Sequence, residues 1–456
     1  MYAKRPFPIY VADNLHSLRE IPMHIGINLP RRGDREGDAP MSAVRPGYKQ
    51  TEVGVIPEEW GVEPLGRFMA FQNGFNADKA AYGRGTPFIN VLEVITKTHL
   101  SPADIPGRVV VDAAALATFE VRRGDILFNR TSETQEEVAL AAAYCSDEPV
   151  VFGGFVIRGR PDLRRLLGAY GGYGFRSPAV RAQLVARGQG AVRANVGQGD
   201  LRKVLAPLPP LPEQQAIAGA LGDADALIEA LEALIAKKRV LKQGAMQDLL
   251  TGQRRLPGFQ GEWETKRIRE MTACTSGGTP STQVADFWGG DIPWMSSGEL
   301  HLRQVWEVAG RITEVGLQNS AAKLIPANCV LIGLAGQGKT RGTVAINRIP
   351  LTTNQSIAAI LPSPSYSPEF LYHNLFARYD ELREISSGDG GRGGLNLTLI
   401  GLLEVPIPTL DEQRAIAAVL CDMDAGIAAL EARLARTRDV KQGMMQALLT
   451  GEIRLV

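Results

Sequence analysis

PLPPLPEQQAIAGALGDADALIEALEALIAKKRVLKQGAMQDLLTGQRRL, residues 207–256, is a text that the chain writes twice. The second copy, PIPTLDEQRAIAAVLCDMDAGIAALEARLARTRDVKQGMMQALLTGEIRL, fills residues 406–455. From Glu213 and Glu412 onward the copies align without a gap at a shift of about 199 residues, with roughly 27 of 44 positions identical. A repeat of that length means duplicated architecture.

Each copy predicts one long helix. The Pro-rich lead-in cannot continue a helix backward and marks its start. Apolar residues then recur at Ile217, Leu221, Ala224, Ile228, Leu231 and Ile235, matched by Ile416, Leu420, Met423, Ile427, Leu430 and Leu434. The alternating steps of four and three are a heptad seam rather than a broad amphipathic face. Gly252 and Gly451, each after a threonine, supply the left-handed stop. About 38 residues at about 1.5 Å each give a rod of roughly 55 Å. One such seam alone is exposed, so the two rods are expected to pack as an antiparallel pair rather than serve as unrelated core helices.

The 456 residues suggest two or three domains. A hydrophobic share of 45% and a charged share of 22% describe a chain able to bury a core. With a net charge of +1, no overall field speaks for nucleic acid or membrane, so any DNA-binding surface must be local. Cys145, Cys274, Cys329 and Cys421 are scattered without metal-ligand spacing, which fits a reducing cytosol and no structural metal. No apolar run is long enough to span a bilayer, and no secretory signal opens the chain.

Residues 1–45 are polar and turn-rich; they read as an upstream extension from a misassigned start or as a flexible arm. Residues 46–206 form a first head, in which TPFINVLEVI, GRVVV, GDILFNR and PVVFGGFVIRGRP predict strands and ALAAAY and SPAVRAQLVAR predict helix. Glu93 and Lys97 read as a solvated strand end. Residues 257–405 form a second head, with strands at DIPWMSS, NCVLIGL, GTVAINR and SIAAIL and a helix at SPEFLYHNLFARYDELREI. Both heads open near a Trp (Trp60, Trp263), carry a Pro-aromatic strand (Pro87-Phe88, Pro293-Trp294) and end in a small-residue loop before Asn195 or Asn396. The expected fold is mixed α/β (α+β). Two globular heads are separated by two long antiparallel helices (207–256 and 406–456), with internal pseudo-two-fold repetition.

Gly333–Thr340, GLAGQGKT, matches the phosphate-loop pattern after an apolar run, and a nucleotide hydrolase using Lys339 is one rival reading. That chemistry requires a helix to start directly after the Lys-Thr. RGTVAINRIP follows instead and predicts turn, strand, turn, so Lys339, Thr340 and Arg341 read as exposed donors to nucleic-acid phosphates. A second rival is a coiled-coil scaffold without a DNA role. The five histidines are dispersed, and neither an Asn-Pro-Pro-aromatic motif nor a nuclease cluster stands out, so no catalytic residue is assigned.

Local charge is more informative. From Arg160 to Lys203 stand nine basic residues against two acidic ones, a candidate phosphate-neutralising surface that includes Arg187 and Arg193. Asn129, Arg130, Thr131, Ser132, Asn354 and Gln355 are candidates for base-edge contacts, and Arg392 for a contact from the second Gly loop.

The twin helices ending LLTG, each after a head of about 150 residues, together with GYKQTEVGVIPEEW, GDILFNRTSE, SGGTPST, IPWMSSGE and GKTRGTVAI, resemble the specificity (S) subunits of type I restriction–modification systems over about residues 45–456. The resemblance implies that each head is a target recognition domain reading one half of a split, asymmetric duplex site. The helices would be the spacer and the docking surface, through Ile217, Leu221, Ile228, Leu231, Ile416, Leu420, Ile427 and Leu430. It further implies two adenine-N6 methyltransferase (M) subunits, restriction (R) subunits joining through them, and a cytoplasmic, membrane-free setting. S-adenosylmethionine, ATP and magnesium would then sit on the partners, and this chain would be no enzyme and carry no cofactor or metal. Residues 1–40 match nothing in the family plan.

Overall fold

A computed structural model describes residues 44–188, 193–336, 339–385 and 394–455. The expected N-terminal extension thus lies almost wholly outside the described residues. The duplicated text forms two 40-residue helices, α1 (Leu211–Leu250) and α2 (Leu410–Leu449). At 1.5 Å per residue each is about 60 Å long. Extended Pro210 precedes α1 and Pro212 lies in its first turn, where its missing N–H is no loss. Gly252 and Gly451 leave the helices at φ +73° and +70°. A Cβ on Gly451 would also stand 2.5 Å from the Pro57 ring, so glycine is required there twice over.

The two helices run antiparallel. Asp225 pairs with Lys441, Glu232 with Arg438 at 2.5 Å, Arg239 with Glu431 at 2.5 Å and Lys242 with Asp424 at 2.5 Å. As one number climbs the other falls. Each pair also has its repeat-related twin, Asp225–Lys441 with Asp424–Lys242 and Glu232–Arg438 with Glu431–Arg239. The pairs therefore obey a pseudo-two-fold axis crossing the helices near Leu234 and Arg433.

The seam does more than a coiled coil needs. Ile217, Leu221, Leu231, Ile235, Ile416, Leu420 and Ile427 are buried, while Ile228 and Leu430 are half-buried. Ile217 and Leu221 enter the core of head 1, where Met444, Leu448 and Leu449 from the far end of α2 join them. Ile416 and Leu420 enter the core of head 2 with Met246, Leu249 and Leu250 of α1. Each head is completed by the start of one helix and the end of the other.

The two heads share one topology. Head 1 has a five-stranded sheet in the order Met69–Asn73, Val156–Pro161, Ile126–Asn129, Ala141–Tyr144, His99–Leu100. Head 2 repeats it as Cys274–Ser276, Ile357–Ile360, Val330–Gly333, Val344–Asn347, Gln304–Val305. In both, only the last pairing is parallel. Alternate residues face opposite ways. Ile126 and Phe128 join the core that the long helices complete, whereas Leu127 joins an outer core under a three-stranded sheet. Burial on both faces explains the unbroken apolar runs. A short strand opening each head, Gly61–Pro64 or Glu264–Arg267, pairs with the strand leading into the long helix, Leu205–Leu208 or Glu404–Ile407.

Two expectations in head 1 are overturned. ALAAAY is not helical: Ala141–Tyr144 is a strand buried on both faces. Alanine's helix propensity yields because the Gly168–Gly174 helix lies so close over the sheet that a Cβ on Gly171 would stand 2.9 Å from Ile126. VLEVI is not strand. Asn90 opens helix Val91–Thr96, and its backbone N–H donates to the Glu93 carboxylate at 2.8 Å. Glu93 is accordingly buried, not the solvated strand end expected.

Leu448 lies in α2 but in the core of head 1, so Leu448→Ala should destabilise head 1 by roughly 2–5 kcal/mol. Amide exchange in Ile126–Asn129 should accelerate while that in Val330–Gly333 stays unchanged. Equal acceleration in both would show that the two cores are not separately completed.

Candidate nucleic-acid interface

The first turns of α1 and α2 hold each head in place. Glu213 and Gln214 are fully buried at the start of α1. The Trp60 indole donates to Glu213 at 2.8 Å, and Arg454, from beyond the end of α2, pairs with the same carboxylate. Hydrogen bonds to Glu213 and Glu59 raise the Arg454 pKa, locking in its charge. The Gln214 amide accepts from Leu167 N–H at 2.8 Å and donates to the carbonyls of Arg165 and Pro209 at 2.9 Å. Head 2 repeats the device with Glu412 between Trp263 and Arg255, and Gln413 accepting from Ser367 N–H at 2.9 Å. The duplicated Glu-Gln pair was legible as repeated text, but its clamping role was not.

At the opposite end of each head, loops from both sheets form a rim, and backbone hydrogen bonds set the two rims in register. Arg130 N–H donates to Phe155 C=O at 2.7 Å, as Leu334 N–H does to Ser356 C=O at 2.8 Å. Gly153 N–H donates to Ile89 C=O at 3.0 Å, as Asn354 N–H does to Met295 C=O at 3.0 Å. Asn90 and Ser296 open matching turns capped by Glu93 and Glu299, both at 2.8 Å. Gly74 and Gly277 approach the neighbouring backbone where any Cβ would collide with a carbonyl oxygen. On this common frame the outward side chains differ: Asn76, Leu92, Arg130, Gly154 and Phe155 in head 1 stand where Thr279, Gly298, Leu334, Gln355 and Ser356 stand in head 2.

The rims gather several expected residues and exclude others. Arg130 is exposed, and its guanidinium has no side-chain partner among the described residues. Thr131 donates to Asn195 at 2.7 Å, beside Arg193, which is exposed and 3.9 Å from Glu133. Gln355 is exposed, and its amide oxygen accepts from Thr279 at 2.6 Å. Lys339 is exposed on the turn joining Val330–Gly333 to Val344–Asn347, with Thr340 and Arg341 half-buried behind it. Asn129 is corrected: it lies inside the sheet with no exposed surface and cannot touch a base. Ser132 is buried and donates to Glu137 at 3.2 Å, and Asn354 is folded inward between Ser297 and Ser356 N–H. Arg392 lies outside the described residues.

The basic cluster from 160 to 203 is also corrected, because most of it is structural. Arg160 forms a two-pronged pair with buried Asp125 at 2.7 and 2.8 Å, Arg164 pairs with Asp162, and Arg165 with Glu63. Arg176 donates to the carbonyls of Ala141, Val94 and Lys97, each at 2.7 Å, and burial pulls its pKa down to about 10. Arg181 and Arg187 donate to the carbonyls of Glu136 and Gln183. Arg164, though paired with Asp162, is exposed, as are Arg193, Arg202 and Lys203. The phosphate-loop pattern is settled by position: strand Val344–Asn347, antiparallel to Val330–Gly333, follows Lys339 where a nucleotide site needs a helix.

Residues 260–436 match the family profile described as type I restriction modification DNA specificity domain. The chain is 31% identical over 168 residues to the type I restriction enzyme MjaIX specificity subunit of Methanocaldococcus jannaschii, covering 36% of this chain and 38% of that one. It is 28% identical over 186 residues to the EcoR124I/EcoR124II specificity subunit of Escherichia coli, covering 40% and 46%. Each match thus spans less than half of the relative's length. A putative MjaX specificity subunit of M. jannaschii is 23% identical over 424 residues, covering 90% and 97%. Among solved structures, the S subunit of a type I restriction–modification system from M. genitalium has a TM-score of 0.56 at 16% identity, covering 85% of this chain and 96% of that one. A chain from a type I restriction–modification assembly study has a TM-score of 0.52 at 18% identity, covering 87% and 99%. The shared fold is that of two heads on paired long helices.

A phosphate contact at Lys339, unlike a nucleotide ligand, would be dispensable for sequence preference. Lys339→Ala should weaken DNA binding evenly across sequences and lower the slope of log affinity against log salt by about one. A change of preferred sequence, measured by competition titration, would contradict this role.

Proposed function

We infer that the chain is a specificity subunit of a type I restriction–modification system, the DNA-reading and assembly subunit of such a complex, on the family profile over residues 260–436, the curated specificity subunits it resembles and the shared fold. Each head reads one half of a bipartite site, and α1 with α2 fixes the gap between the halves. Two adenine-N6 methyltransferase subunits dock on the helices and heads, and restriction subunits join through them. S-adenosylmethionine, ATP and magnesium belong to those partners, and this chain contributes recognition rather than chemistry. The observation that carries the reading is one head built twice on the same backbone frame, with different rims, at the two ends of an antiparallel spacer. Thr131, Arg130, Arg193, Lys339 and Gln355 are the contacts it favours. The nucleotide-hydrolase reading falls with the hairpin after Lys339, and a scaffold without DNA has no use for two divergent rims.

The test is selection of binding sites from random duplex pools by the chain assembled with its methyltransferase subunits. A bipartite consensus with a fixed gap is expected; its absence would refute the proposal. Inserting seven residues after Ala233 and another seven after Ala432, beside the pseudo-two-fold axis, keeps the heptad phase and lengthens the spacer by about 10 Å. The gap should then widen by about three base pairs at 3.4 Å each. The bases read in each half should be unchanged. Altered bases with an unaltered gap would contradict the spacer role.

A further inference from the structure

The two rims provide an internal comparison. Wherever the shared backbone bonds put a residue of head 1 and a residue of head 2 in the same place, the difference between their side chains is a difference in what the two heads can read. Head 1 is apolar at two of these points, Leu92 and Phe155. Phe155 is 58% exposed and Leu92 64% exposed, although large apolar side chains are otherwise mostly buried. They stand side by side between two clefts of about 330 and 380 Å³; Asn76 lines the first and Arg193 the second. Arg130, whose N–H holds the Phe155 carbonyl, places an exposed cation beside this pair. An apolar projection flanked by exposed cations suits a surface whose borders meet phosphates and whose centre meets the groove.

Head 2 carries no apolar projection at the positions that match Leu92 and Phe155. Gly298 and Ser356 stand in place of Leu92 and Phe155, and Gln355 replaces Gly154. The Thr279 hydroxyl donates to the Gln355 amide oxygen at 2.6 Å and so fixes the amide's orientation. The second lone pair of that oxygen and both amide N–H groups remain for a ligand. That set matches the adjacent N6 donor and N7 acceptor of adenine in the major groove, whereas an apolar side chain matches the 5-methyl group of thymine.

Resting on the proposed DNA-reading function, we propose that these loops are the sequence-determining edges of the heads. Phe155 and Leu92 meet a thymine methyl in one half-site, and Gln355, braced by Thr279, meets an adenine edge in the other. Thr279 is a positioning residue. The exposed cations Arg130 and Lys339 supply phosphate contacts that do not discriminate among bases.

The experiment assembles the full chain with its methyltransferase subunits and selects sites from random pools with wild type, Phe155→Ser, Gln355→Ala and Thr279→Val. Phe155→Ser should relax preference for thymine at one position of one half-site. Gln355→Ala should relax preference for adenine at one position of the other, by roughly ten- to a hundred-fold. Thr279→Val should relax that same adenine position less. In each case the opposite half-site and the gap should stay as in wild type. If wild type yields no bipartite site, the underlying function fails. If it does but Phe155→Ser and Gln355→Ala keep its consensus, or relax bases other than thymine and adenine, or weaken both halves alike, the assignment of these residues is wrong while the function stands.

Discussion

The fold rests on two buried carboxylates, each shared between a tryptophan of one head and an arginine from the far end of the chain's other repeat. Glu213 accepts from Trp60 and pairs with Arg454; Glu412 accepts from Trp263 and pairs with Arg255. A buried charge left without partners is strongly destabilising, so each clamp is close to all-or-none. The carboxylates also sit in the first turn of their helices, where the helix dipole favours negative charge. The start of one helix, the end of the other and the opening of a head thereby meet at one point. Tyr48 adds to this join by donating to the Gly451 carbonyl at 2.6 Å, bringing the first described residues against the last helix. With both ends made this way, the distance between heads follows from helix length.

That construction divides the charged residues into two groups. Most arginines between 160 and 203 serve the frame, paired with Asp125 and Glu63 or bonded to carbonyls. Among the cations left outward, Arg130, Arg193 and Lys339 lie at the rims and hairpin turn. A chain of net charge +1 can thus present local cations without a strong field over the whole surface. The frame is held by backbone bonds and by glycines such as Gly74 and Gly277, whose close contacts exclude a side chain. Rim side chains point away from those contacts, so they are free to change without disturbing the fold.

The helices were legible because a heptad seam sustained over about forty residues suits a long paired rod and little else, and the duplication said that two of them must be accommodated. Their antiparallel pairing followed from the exposed seam. The exchange of ends between heads did not, because Leu448 and Leu221 look alike whether they face a helix or a sheet. In the heads, β-branched strands such as Val330–Gly333 were readable. Ala141–Tyr144 was not, since its alanines answer to a glycine-lined helix packed across the sheet, a contact between distant segments. The rim was only partly legible. Gln355 and Arg130 were found beside turn residues, but Asn129, one residue from Arg130, points into the sheet instead. Phe155 and Leu92 went unremarked because an apolar residue in sequence gives no sign of being exposed.

Zero-length carbodiimide cross-linking of the intact chain, read by mass spectrometry, tests the central claim most directly, since it joins only amines and carboxylates already in contact. The account predicts two reciprocal links, Lys441 to Asp225 and Lys242 to Asp424, within one monomer. Links joining residues near Lys242 to residues near Lys441, as parallel helices would give, or no link between the two helices, would contradict it.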